Sequence, residues 1–141
     1  IHGQSHPENR IELGYLLSSR QLNVDHLSNS SKTSIESLYL NKQRTISIES
    51  LIRGNDSLGS FLNKEGLSAI PSPSDRKPFS SNYYTGGYIT KYHSALTDAS
   101  TIISCIQAEI PFSMRESSKL TNSAKIFARA LFDFYKLHFM N

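Results

Sequence analysis

The chain lacks several features that would place a protein in a functional class at once. It has no tryptophan, a single cysteine, and only a small excess of basic over acidic residues, 15 against 12. One cysteine excludes a disulfide framework, and the absence of any lysine and arginine run argues against a nucleic-acid partner. No apolar run approaches the roughly 18 residues of a membrane span, which argues against a membrane. The 141 residues suit a single domain, over 1–141, with a buried core.

The lone thiol and the serines give no nucleophile of a familiar kind. Cys105 lies in an apolar, β-branched segment and has no nearby histidine in the sequence, so we expect a small buried hydrophobic residue. A serine hydrolase of the nucleophile-elbow type would need Gly-x-Ser-x-Gly, which does not occur. Two N-glycosylation sequons begin at Asn29 and Asn55, but such triplets arise by chance in serine-rich sequence and leave the localisation open.

Local patterns predict three short helices in the first half of the chain. Thr33 and Glu36 have the spacing of a capping box, and apolar residues follow at helical spacing. The two later helices are each followed by a glycine, Gly54 or Gly66, which favours a helix end. The predicted helices cover 33–42, 46–53 and 56–65.

The second half of the chain predicts a loop, a buried strand and a long helix. Residues 71–85 are rich in proline and serine and are expected to form an irregular loop, with a short strand after Gly87. The β-branched segment 102–110 predicts a strand covered by helices on both faces. Apolar residues at 3.6-residue spacing predict an amphipathic helix over 118–139. We expect that helix to pack across the strand through Leu120, Phe127, Leu131 and Phe134.

The chain opens on its densest cluster of potential metal ligands, with His2 and His6 around Gly3. A histidine at the end of a buried strand, fixed by a glycine turn, is a common way to present a nitrogen to zinc. His2 is also compatible with a ring that bonds backbone or is exposed. Pro7 makes a helix through His6 unfavourable, so the two rings do not form a helical metal motif.

Glu109 is the second candidate, because a carboxylate among apolar residues is costly to bury unless it is paired or used. A buried carboxylate could act as a general base toward water. The alternative is a structural ion pair with Arg115 or Arg10. Both interpretations stay open at the level of the residues.

Four further residues have possible roles around such a site. Arg115 could hold a substrate carboxylate with its planar fork, and His93 could also bind substrate, although both could equally be surface residues. Gly87 lies in a glycine pair that permits close approach of backbone. Glu12 could orient a metal-binding histidine from behind.

Taken in chain order, five segments resemble sequence blocks of N-formylglutamate amidohydrolase-like proteins. More widely, the chain is similar to the zinc carboxypeptidase and aspartoacylase-like superfamily. The ordered set is more specific than any single segment and spans most of residues 1–116. The segments are His2-Gly3-Gln4-Ser5-His6 with Ile11-Glu12-Leu13-Gly14-Tyr15, Ser57-Leu58-Gly59, Ile70-Pro71-Ser72-Pro73, Gly86-Gly87-Tyr88 and Ile106-Gln107-Ala108-Glu109-Ile110.

The resemblance implies a three-layer α/β fold with a mixed sheet and one zinc ion. His2 would be the last of the zinc ligands and Glu109 the general base in hydrolysis of an amide bond of a small N-acylated carboxylate. The upstream His-x-x-Glu pair of the superfamily has no counterpart here. We therefore expect the C-terminal part of a longer domain, inactive without its N-terminal part. The alternative is a non-catalytic binding or structural remnant of the same fold.

Overall fold

The computed structural model describes residues 1–43, 45–94 and 102–140. Within these residues the chain forms a four-stranded mixed sheet and seven helices, which confirms the expected α/β class. The strands are β1 (His2–Gln4), β2 (Ile11–Gly14), β3 (Ala69–Ile70) and β4 (Gln107–Pro111). The helices are α1 (Ser19–Leu22), α2 (Glu36–Asn41), α3 (Ile48–Arg53), α4 (Leu58–Lys64), α5 (Tyr88–His93), α6 (Phe112–Arg115) and α7 (Ser117–Phe139).

The sheet has the strand order β1-β4-β2-β3, with β1 and β3 at its edges. Strand β4 runs parallel to β1 and antiparallel to β2, and β2 runs parallel to β3. In this register Glu109 lies opposite His2 on one side and Glu12 on the other. Directly paired residues of neighbouring strands project from the same face of a sheet. The sheet therefore places three titratable side chains in one row.

Strand β2 is the most deeply buried part of the sheet. All four of its residues are buried, and Ile11, Glu12 and Leu13 have no exposed surface. Because successive side chains of a strand point to opposite faces, both faces of β2 are covered. The core around it is built largely from apolar residues of the turn after β2 and of α3 and α4, namely Tyr15, Leu17, Ile48, Leu51, Ile52, Leu58 and Leu62.

The three helices predicted between 33 and 65 are present as α2, α3 and α4, each shorter than predicted. Ser47 and Ser57 cap α3 and α4, since each side chain accepts a hydrogen bond from the amide three residues on. The predicted capping box is wrong. The Thr33 hydroxyl accepts from the Ile35 amide at 3.2 Å, and α2 begins at Glu36 without a side-chain cap.

The predicted strand over 102–110 is too long. Regular pairing begins only at Gln107 opposite β2 and at Glu109 opposite β1, and Ile102 and Ile103 are 80% and 49% exposed. Cys105, two residues before Gln107, instead pairs with Ser34. The Cys105 amide donates to the Ser34 carbonyl at 2.9 Å, and the Ser34 hydroxyl donates to the Cys105 carbonyl at 2.6 Å. Cys105 is accordingly half-buried rather than buried, and burial raises the pKa of its thiol. Strand β4 nevertheless lies inside the sheet, as predicted.

The irregular loop predicted over 71–85 is confirmed, but the strand predicted after Gly87 is wrong. The segment forms α5, which Gly87 caps. The Thr90 hydroxyl and the Gly87 amide both donate to the side chain of Gln107, which anchors the first turn of the helix against β4. This tertiary contact outweighs the strand preference of tyrosine, isoleucine and threonine.

Helix α7 confirms the predicted length but not the predicted packing. Its main neighbours are α4 and α6 rather than β4. Phe134 is buried and Phe127 is half-buried, whereas Leu120 and Leu131 are 51% and 45% exposed. Of the four residues expected to pack against the strand, Phe134 alone is therefore buried. Among the helices of the described residues, α7 included, none combines the length and apolar character needed to cross a bilayer.

Candidate functional site

A row of titratable side chains crosses three strands of the sheet. The Glu109 carboxylate is 4% exposed and that of Glu12 is fully buried, whereas the His2 side chain is 63% exposed. The His2 Nδ1 and Glu109 Oε1 atoms are 3.7 Å apart. The row thus runs from solvent at β1 to the interior at β2, and it places His2 beside Glu109, the two residues to which the resemblance assigns zinc binding and general-base catalysis. His2 opens the edge strand β1 instead of ending a buried strand.

Glu12 holds the second imidazole of the opening cluster. Its Oε1 lies 2.8 Å from His6 Nδ1, and its Oε2 accepts a hydrogen bond of 2.8 Å from the Tyr84 amide. The Tyr84 ring stacks on His6 with ring centroids 4.5 Å apart. Both oxygens of this buried carboxylate are therefore paired. The histidine that Glu12 holds is His6, and the role predicted for Glu12 behind a metal-binding histidine stays a prediction.

The carboxylate of Glu109 is held by a side chain of its own strand. Gln107 Nε2 donates to Glu109 Oε1 at 2.7 Å, and no hydrogen bond from the described residues reaches Oε2. The predicted alternative of an ion pair with arginine is not found in this part of the chain. Arg10 pairs with Asp75 at 2.8 Å, and Arg115 donates to backbone carbonyls. Glu109 is thus a buried carboxylate with one oxygen fixed by Gln107 and the other without a hydrogen bond from residues 1–43, 45–94 and 102–140.

Arg115 ties the ends of two parallel strands together. Its Nε donates to the Ile110 carbonyl and its Nη2 to the Gln4 carbonyl, both at 3.1 Å. A Cβ atom on Gly3 would lie 2.6 Å from Arg115 Cζ, so the guanidinium lies against the face to which residue 3 points. Because side chains alternate along a strand, His2 points to the opposite face. Arg115 is therefore on the other side of the sheet from the row.

Gly87 belongs to the site network, and His93 lies at the far end of the same helix. The Gly87 amide donates to Gln107 Oε1 at 2.7 Å, and a Cβ atom at this position would lie 3.1 Å from that oxygen. His93 is exposed at the end of α5, with its ring edge-on to Tyr92. Among the described residues no hydrogen bond or ion pair joins His93 to His2 or Glu109.

The loop before α5 reaches the site by crossing closely over the end of β2. The Tyr83 hydroxyl donates to the Leu13 carbonyl, and the Leu16 amide donates to the Thr85 carbonyl, both at 2.6 Å. A Cβ atom on Gly14 would lie 2.5 Å from the Gly86 amide nitrogen, so only glycine permits this approach. Burial raises the pKa of Tyr83, which keeps its phenol protonated as the donor.

Sequence reasoning missed Gln107 and the pairing of His6 with Glu12. A signal for Gln107 was present, because residues two apart on a strand share a face, which puts Gln107 beside Glu109. The pairing of His6 with Glu12 depends on the turn that joins β1 and β2. Gln4 Nε2 holds this turn by donating to the Arg10 carbonyl at 2.9 Å, a contact with no local signature.

The described residues do not form a complete zinc site. Catalytic zinc takes three protein ligands and a water. Over residues 1–43, 45–94 and 102–140 no group of three or more histidine, cysteine, aspartate or glutamate side chains is arranged to hold a metal. His2 offers one exposed imidazole beside Glu109, and His6 is turned toward Glu12. The described residues supply at most one histidine ligand to the ion that the resemblance implies.

Comparison with known proteins places the chain in no group. No protein-family model, no curated protein and no solved structure matches it. The resemblance to N-formylglutamate amidohydrolase-like proteins therefore stays a prediction from the sequence. What the chain does has to be argued from its own side chains.

Proposed function

We propose that this chain carries part of the active site of a hydrolase that cleaves C–N amide bonds in small N-acylated carboxylates. One observation supports the proposal above the others. A buried carboxylate, Glu109, has one oxygen that no hydrogen bond from the described residues reaches, and it lies 3.7 Å from the exposed imidazole of His2, which comes from a distant part of the sequence. A buried carboxylate beside an accessible imidazole is a typical arrangement for acid–base chemistry.

In this proposal Glu109 is the general base. Its Oε1 is occupied by the hydrogen bond from Gln107, so Oε2 is the atom that takes the proton of the attacking water. The same oxygen then returns the proton to the leaving nitrogen. A positioned base of this kind contributes about 10²–10⁴-fold to a rate.

The substrate's carboxylate requires a cationic or hydrogen-bonding partner. Arg115 already donates from two of its nitrogens to strand carbonyls, on the face of the sheet opposite Glu109. His93 is exposed, and Gly87, which caps the start of its helix, lies beside Gln107. Of the two residues that the sequence suggests for substrate binding, we therefore favour His93.

The proposal also includes zinc, the three-layer zinc-peptidase-like arrangement and an N-terminal part of the same domain. The superfamily that the sequence resembles uses the metal to activate water and polarise the carbonyl. The described residues do not form a complete metal site, so no step is assigned to the ion here. What the chain itself supplies is His2, Glu109 and the network that holds Glu109.

An apolar groove next to β1 supports the expectation of further strands. β1 is an edge strand, and an unpaired strand edge favours the addition of another strand. The groove has a volume of about 410 Å³ and is lined by Ile1, which directly precedes β1, by Ile110 of β4 and by residues of α6 and α7. Apolar surface of this kind usually marks an interaction site. We propose that the N-terminal part of the domain covers it. Its lining includes Ile1, Ile110, Met114, Leu120, Phe127 and Leu131.

A second candidate function is a non-catalytic binding or structural domain. It is favoured by the incomplete set of metal ligands over the described residues. Such a domain would keep the row of side chains as a structural network around Glu12 and Glu109. It predicts a folded protein without bound metal and without turnover.

The experiment that separates the two is made on the protein expressed from its complete reading frame. Metal content is measured by mass spectrometry, and release of amine is followed with N-formyl and N-acetyl amino acids. We expect bound zinc and turnover that Glu109→Gln removes without loss of metal or fold. The matched control is Glu36→Gln, the same change on α2 outside the site network, which should leave turnover intact. A folded protein with neither metal nor turnover would support the non-catalytic alternative.

A further inference from the structure

The amide of Gln107 has a defined orientation in this fold. Its Oε1 accepts two hydrogen bonds, from the Gly87 amide at 2.7 Å and from the Thr90 hydroxyl at 3.1 Å. The Gly87 amide can only donate, so the carbonyl oxygen of Gln107 must face α5. The NH₂ group must then face the other way, toward Glu109 Oε1, which it reaches at 2.7 Å.

The contact with Gln107 decides which oxygen of Glu109 is available. Gln107 Nε2 is the one hydrogen-bond donor that the described residues place on this carboxylate, because His2 Nδ1, at 3.7 Å, is beyond hydrogen-bond distance. Fixing Oε1 locks the rotation of the carboxylate and leaves Oε2 as the accepting atom. A reacting group held in one orientation gains rate because its ordering precedes the reaction.

We propose that Gln107 is the positioning residue for Glu109 and that the first turn of α5 acts on Glu109 only through it. This inference rests on the proposed function for its catalytic consequence. Its structural content is a chain of contacts from Gly87 and Thr90 through Gln107 to Glu109. In this series of contacts Thr90 donates to Gln107 and not to Glu109, so the effect of Thr90 on the reaction rate must vanish when Gln107 is replaced.

The test is a double-mutant cycle in the protein from the complete reading frame. Gln107→Met keeps the length of the side chain without its donor, and Thr90→Val keeps the shape of the side chain without its hydroxyl. We expect Gln107→Met to lower kcat about tenfold with KM little changed, the order expected for loss of one hydrogen bond to a charged group. Thr90→Val should lower kcat about threefold in the wild type and not at all in the Gln107→Met background. A residue that only stabilises the fold would give additive losses.

A second measurement does not depend on activity. In the ¹H–¹⁵N spectrum one of the two side-chain NH₂ proton signals of Gln107 should lie downfield of its position in a solvent-exposed glutamine, because that proton is donated to Glu109. Glu109→Leu should move this signal upfield while the dispersion of the backbone signals shows that the protein stays folded. A Gln107 NH₂ signal at the ordinary position in the wild type, or one that Glu109→Leu does not move, would overturn the inference.

The outcomes separate the inference from the proposed function. Absence of turnover in the wild type contradicts the proposed function, and the spectrum then decides on the positioning contact alone. Turnover that is unaffected by Gln107→Met overturns the inference and leaves the function in place. Equal losses from Thr90→Val in both backgrounds also overturn it, because the effect would then not pass through Gln107.

Discussion

Phe134→Ala gives a quantitative test of how α7 is attached to the domain. The Phe134 side chain is 6% exposed, with its ring edge-on to Phe61 of α4 at 6.2 Å and against His138 at 4.5 Å. Truncating a buried phenylalanine to alanine costs about 3–5 kcal/mol, since it removes buried apolar surface and leaves a cavity. For a domain whose total stability is on the order of 5–15 kcal/mol, this is a large fraction.

The same helix offers a matched control two residues earlier. Phe132 is 56% exposed, so Phe132→Ala makes the same chemical change with less than half of the side chain buried. We expect a loss of about 1 kcal/mol or less there. The free energy of unfolding is measured by urea denaturation followed by far-UV circular dichroism. Equal losses for the two variants would refute the placement of α7, because they would mean that the two faces of the helix are equally exposed.

Three further predictions concern other parts of the chain. Burial lowers the pKa of His138 below the value of about 6.5 in an unfolded chain. The unfolded state therefore binds more protons in acid, and the free energy of unfolding should fall as the pH drops below about 6.5. His138→Gln should flatten this slope in urea titrations at pH 5 to 8. Gly14→Ala would bring a Cβ atom to 2.5 Å from the Gly86 amide nitrogen, so it should destabilise the chain by about 1–3 kcal/mol, and an unchanged unfolding midpoint would show that the loop does not cross β2 there. Residues 1–141, expressed alone and dialysed against zinc, should retain no stoichiometric metal and release no amine from N-acyl amino acids. The reason is that the described residues hold no complete set of zinc ligands. Stoichiometric zinc with turnover that depends on Glu109 would contradict this prediction.

The helices were predictable where local chemistry determines them. The 3.6-residue spacing of apolar residues gave α7 nearly to the residue, and Gly66 after α4 has a φ of +81°, the left-handed conformation expected of a helix stop. Helix α1 was not predicted although its signal was present. Ser18 and Gln21 form a full capping box at its start.

The strand boundaries were not predictable, because they depend on partners that are distant in the sequence. Residues 102–106 have the composition of a strand, but β1 and β2 lie opposite β4 only from Gln107 onward. The segment after Gly87 also has strand composition and forms a helix, since Gln107 anchors its first turn. Composition alone therefore misplaced both elements.

The candidate site likewise contains residues that the sequence indicated and residues whose roles depend on distant contacts. The resemblance singled out His2 and Glu109, and the pairing of β1 with β4 brings them together. The contact of His6 with Glu12 could not be derived, since it needs the turn between β1 and β2. The place of Gln107 beside Glu109 followed from the alternation of side chains along the strand, but its orientation needs the packing of α5. Arg115 was assigned to substrate from its type alone, whereas the fold places it on strand carbonyls.

The central claim is that Glu109 is the base of an amide-hydrolysing site that also contains His2. The most direct measurement compares kcat/KM of the wild type with that of Glu109→Gln for an N-acyl amino acid, at pH 7, in the protein from the complete reading frame. The account predicts a loss of about 10²-fold or more at unchanged metal content and unchanged unfolding midpoint. Equal values of kcat/KM in the two proteins would contradict it.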